Sequence, residues 1–77
     1  MNETTRANFI AGWNWVADEL AAFAGTGVQM YRYAIDILDA AKVSVDFDGF
    51  PEVHKPVCYG QIACVKAWLK HGVVESK

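Results

Sequence analysis

The sequence predicts an all-α fold: a small three-helix domain made of an antiparallel helical hairpin, an irregular extended connection and a third helix. Three observations lead there. Apolar residues recur at three- and four-residue steps along three separate stretches. Residues that start or stop helices stand at the ends of those stretches. The chain has 77 residues, 53% of them hydrophobic and 21% charged, with six Gly and two Pro, which is one globular unit and not a disordered or repetitive segment.

Helix one is expected over about residues 4–24, with Asn2 or Thr4 able to cap its start. Phe9, Trp13, Val16, Leu20 and Phe23 alternate four- and three-residue steps and form one apolar stripe, flanked by Ile10, Ala17 and Ala24. Gly25 is placed to end the helix. Thr26 and Gln29 then have capping-box spacing and open helix two, expected over about residues 27–42. Tyr31, Ile35 and Leu38 line its predicted core face, with Ala34 and Ala41 beside them. The gap between the two helices is so short that they should fold back on one another.

Residues 43–56 change period. Val43, Val45 and Phe47 alternate with Ser44, Asp46 and Asp48, a strand-like pattern of two. Asp48-Gly49 signals a turn, but Pro51 and Pro56 oppose a paired returning strand. An extended connection pinned by Val45, Phe47 and Phe50 is the reading, with a short hairpin as the alternative. Pro56 suits the first turn of helix three, expected over about residues 57–71. Cys58, Ile62, Val65 and Leu69 share its apolar face, and Lys70-His71-Gly72 forms a basic helix ending. The tail, residues 73–77, should be loose. The predicted core joins Phe9, Trp13, Val16, Leu20, Tyr31, Ile35, Leu38, Ile62, Val65 and Leu69.

Several chemistries can be weighed against these elements. The longest uncharged stretch, Leu20 to Tyr31, falls short of the ~20 apolar residues of a membrane span. Glu3, Asn8 and Asn14 interrupt a signal-peptide pattern. Cys58 and Cys64, on one helix, would rise ~9 Å apart, beyond the ~7 Å that a disulfide spans. They read as structural thiols in a reducing, cytoplasmic setting. Asp46, Asp48, Gly49 and Glu52 resemble a calcium loop, but Lys55 stands where its bidentate glutamate belongs. His54, Cys58, Cys64 and His71 lack zinc-site spacing, and nothing orients them as nucleophile and base. No metal, cofactor or catalytic residue is therefore expected.

Leu20, Ala21 and Gly25, followed by a helix bearing Gln29, Arg32 and Tyr33, are loosely similar to a helix-turn-helix. Thr26 replaces the usual apolar residue. Residues 1–50 hold three cations against seven carboxylates, so phosphate would be repelled. A degenerate nucleic-acid-binding regulator remains the second hypothesis.

The first hypothesis rests on apolar surplus. Trp15 lies about 130° from the centre of its helix's stripe, among Asn8, Ala11, Asp18, Glu19 and Ala22. The apolar arc of helix two covers roughly 200°, where one packed face needs ~100°. Met30, Tyr33 and Ile37 occupy the edge away from Ile35. Gly60, Ala63, Cys64 and Ala67 give helix three a stripe of small residues that admits another helix. Helix two lying between its neighbours would absorb part of this surplus. The expected function is a non-catalytic protein–protein interaction module: a small regulator, adaptor or inhibitor that blocks a partner's surface. Its partner is a protein or a second copy of the chain, with Trp15, Met30, Tyr33 and Ile37 as contact residues. In size it falls among small inhibitors encoded by phages and mobile elements, anti-defence proteins included, though no motif ties it to any of them.

Overall fold

The computed structural model describes residues 2–77, whose regular structure is helical throughout: α1 (Glu3–Ala22), α2 (Gly27–Asp46), a single 3-10 turn (Glu52–His54) and α3 (Lys55–His71). None of these helices is long and apolar enough to cross a membrane. Asn2 caps α1, its side-chain oxygen accepting the Thr5 N–H at 2.7 Å. The helix ends at Phe23, two residues before Gly25, because Phe23 turns out in extended backbone and stacks on Tyr33, ring centroids 5.4 Å apart. Gly25 is thus not a left-handed cap. The left-handed glycines are Gly49 (φ 91°) and Gly72 (φ 81°). Thr26 and Gln29 form the expected capping box: Thr26 Oγ1 accepts the Gln29 N–H at 3.2 Å, and Gln29 Oε1 accepts the Thr26 N–H at 3.0 Å.

Residues 43–46 are helical, not extended. The stripe Ala34, Leu38, Ala41, Val45 keeps four- and three-residue steps through the alternating stretch, and extending a formed helix costs far less than starting a strand. Phe47, expected to pin the connection, is 66% exposed. Asp48-Gly49 does turn the chain, and Pro56 does sit in the first turn of α3. The Gly72 N–H closes that helix on the Trp68 carbonyl at 2.7 Å.

α3 is the hub. It shares its largest interface with α1 and a second with α2, whereas α1 and α2 scarcely meet. Residues near the start of α1 lie on the start of α3, so these two run parallel. Met30, at the start of α2, meets Leu20 and Trp68 at the far end, so α2 runs antiparallel to both. The arms of the hairpin therefore rest on α3 more than on each other. The small-residue stripe of α3 is spent here: a Cβ on Gly60 would run into the Phe9 carbonyl and lie 2.9 Å from the Trp13 nitrogen. Reciprocally, a Cβ on Gly12 would strike the Val57 carbonyl. Two glycines thus bring two helix backbones into contact.

The core is narrow, formed by Val16, Ala17, Leu20, Ala34, Ile37, Leu38, Cys64 and Val65. No polar or charged side chain is buried among the described residues. Tyr31 and Leu69, expected inside, are 53% and 41% exposed. α2 is rotated so that its alanine stripe, Ala34 and Ala41, is buried, with the flanking Ile37 and Leu38 closing over the core. That rotation turns Tyr31 outward.

The tail is docked, not loose. Trp13 Nε1–H donates to the Glu75 carbonyl at 2.7 Å. The Asn14 amide accepts the Lys77 N–H at 2.6 Å and donates to the Lys77 carbonyl at 3.2 Å. Ser76 donates to Asp18 at 2.9 Å, Lys77 Nζ lies 4.4 Å from the Trp13 ring centroid, and Val74 packs on the core.

Candidate functional site

Because both flanking helices lean on α3, a trough opens between α1 and α2. Its volume is about 280 Å³. Trp15 forms the α1 wall, while Ile37, Ala40, Ala41 and Ser44 form the α2 wall. Gln61 of α3 lies at its base, and Asp36 is the charged side chain among the lining residues described. The accessible surface of the whole fold, 5102 Å², exceeds the about 4,650 Å² expected of a folded 8.5 kDa chain.

The four side chains expected to meet a partner separate in the structure. Trp15 is 45% exposed. Ile37 joins it in the trough but is only 9% exposed, so it is core with one edge showing. Met30 is half-buried on the opposite side, beside Leu20 and Trp68. Tyr33 is half-buried and stacked on Phe23, with the Glu19 carboxylate of α1 nearby. Burial chiefly, with the neighbouring Glu19 carboxylate adding to it, raises the Tyr33 pKa. Met30, Tyr33 and Ile37 thus serve packing, and Tyr33 is one of the few direct ties between α1 and α2.

On the α2 wall sequence reasoning named Ile37 and missed Ala40 and Ser44. Asp36, Ala40 and Ser44 recur every four residues, with Val43 beside them. Cutting the helix at Lys42 hid the continuation of this face. Val43 and Phe47 are 69% and 66% exposed, so large apolar groups continue along this end of α2. The helix-turn-helix reading has little to work with. Gln29 is exposed but its side-chain oxygen is held in the Thr26 cap, and Tyr33 is half-buried against Phe23, which leaves Arg32 as the one of the three that is exposed and outside such a contact.

Cys58 and Cys64 are buried free thiols. Burial raises both pKa values, that of Cys64 to about 11. His54 lies edge-on to Phe50, with ring centroids 6.4 Å apart, and His71 is exposed at the end of α3. Among the described residues, no three His, Cys, Asp or Glu side chains are grouped to hold a metal ion. The raised thiol values have a stability consequence. Between an unfolded thiol's ~8.5 and the folded value, the native state keeps a proton that the unfolded state releases. Stability is unaffected below that range and falls as pH climbs toward 11. Denaturant titrations at stepped pH should show this fall, and Cys64→Ala, less stable at neutral pH, should show a shallower one.

No family model, curated protein or solved structure matches the chain.

Proposed function

We propose that this chain is a non-catalytic protein-interaction module that acts through the trough between α1 and α2, as a small regulator, adaptor or inhibitor covering a partner's surface. Trp15 carries the reading. It is a large aromatic side chain, 45% exposed, standing over a groove walled by Ile37, Ala40 and Ala41. Aromatic side chains at the rim of a concave apolar surface are typical anchors of protein interfaces. Two buried free thiols suit a reducing compartment such as the cytoplasm.

Two substitutions test the assignment against each other. Trp15→Ala should leave the melting of the isolated domain nearly unchanged and weaken partner binding at least tenfold, since truncating an interface anchor costs ~2 kcal/mol or more. Tyr33→Ala should behave oppositely. Losing the Phe23 stack and the packing of a half-buried ring should lower folding stability by about 1–3 kcal/mol. Calorimetric melting and titration of each variant separate the two effects. A Trp15→Ala domain that unfolds, or that binds as tightly as the parent, removes the support for this reading.

A further inference from the structure

Resting on the trough as the interaction surface, we infer that its occupant is a basic amphipathic α-helix of another protein, laid between α1 and α2 as a fourth helix. The walls decide the backbone of the visitor. Both are helices whose hydrogen bonds are internal, so neither offers a row of free N–H or carbonyl groups to an incoming strand. An extended peptide would leave its backbone unpaired against Trp15, Ile37 and the alanines, whereas a helix brings its own hydrogen bonds satisfied. The small side chains of Ala40, Ala41 and Ser44 admit close approach. Asp36 to Ser44 spans ~12 Å, a little over two turns, which matches apolar anchors at i, i+4 and i+7.

Charge selects the chemistry of the flanks. α1 and α2 together carry six carboxylates against three cations, whereas α3 carries three lysines and no carboxylate. The charged lining residue is Asp36; at ~100° per residue Asp39 and Asp46 fall on the far side of α2 from the trough, and Asp18 already accepts from Ser76. Lysine or arginine beside the visitor's apolar stripe would meet Asp36 on a pair of helices that is net acidic, while acidic flanks would be repelled. A two-fold pairing of this chain through the trough fares worse, because it sets one trough against another and brings the Asp36 carboxylate of both copies into the same seam.

A displayed library of 20-residue amphipathic helical peptides, with the flanking positions randomised, tests this. It would be selected in parallel on the wild-type protein, on Trp15→Ala and on Asp36→Lys, each variant first checked by melting. The expected result is enrichment of peptides with net positive flanks on the wild type. Their affinity should drop at least tenfold on Trp15→Ala, and Asp36→Lys should erase or reverse the charge preference. Peptides that depend on Trp15 but have neutral or acidic flanks would overturn the basic-helix inference and leave the interaction reading standing. Peptides held equally well by Trp15→Ala, or no enrichment at all, would overturn both.

Discussion

Replacing Gly60 with alanine is expected to destabilise the domain by about 3 kcal/mol or more, although alanine is the better helix former by ~1 kcal/mol. The sign reverses because the added methyl has nowhere to go. It would meet the Phe9 carbonyl and the Trp13 nitrogen, which are backbone atoms of α1 and cannot swing aside as a side chain can. Gly12→Ala meets the Val57 carbonyl in the same way and should behave alike. A 77-residue domain holds only ~4–12 kcal/mol in total, so either change removes a large share of it. Gly27→Ala is the control: nothing lies within 4 Å of the position its Cβ would take. Denaturant unfolding should show it unchanged or stabilised by up to ~1 kcal/mol. Equal behaviour of Gly27→Ala and Gly60→Ala would mean that α1 and α3 do not cross at these glycines.

Leu20→Asp should abolish folding. Leu20 is 4% exposed and sits in the cluster with Val16, Val65 and Cys64, where no polar partner is buried to receive a carboxylate. Removing the leucine side chain alone costs about 2–5 kcal/mol, and an unpaired buried charge adds several more. That sum equals or exceeds the stability of a chain of this size. Circular dichroism should show lost helicity, and Leu20→Ala should fold with a lowered melting temperature. A cooperative, fully helical Leu20→Asp protein would place Leu20 outside the core.

The helix starts and stops that use local chemistry were legible in the sequence. Asn2, the Thr26–Gln29 box, Pro56 and Gly72 each act within a few residues of their position, so no tertiary information is needed to read them. What depends on contacts between distant residues was not legible. Val43, Ser44 and Val45 alternate like a strand over too few residues to outweigh the helix already running into them. The rotation of α2, which buries Ile37 and exposes Tyr31, is set by how closely Ala34 and Ala41 can approach α3, and wheel geometry alone does not state it. The Gly60 stripe signalled the close approach of another helix, and that helix is α1, which the stripe itself does not name. The docked tail carries no periodic pattern at all. It depends on Trp13 and Asn14 finding acceptors and donors more than 60 residues away. Of the candidate site, Trp15 was legible because a tryptophan opposite its own core stripe is conspicuous. On the α2 wall Ile37 was legible as part of the apolar surplus, whereas Ser44 lay beyond a helix end drawn four residues too early.

The most direct test of the trough as the docking surface is a nitrogen-15 spectrum of the three tryptophan indoles, recorded with and without the tightest helical peptide selected on the wild-type protein alone. Trp13 is fixed by its bond to the Glu75 carbonyl, and Trp68 lies on the opposite seam with Met30. The account predicts that the Trp15 indole signal moves on saturation while those of Trp13 and Trp68 hold still. A Trp15 signal that stays in place while Trp13 or Trp68 shifts would contradict it.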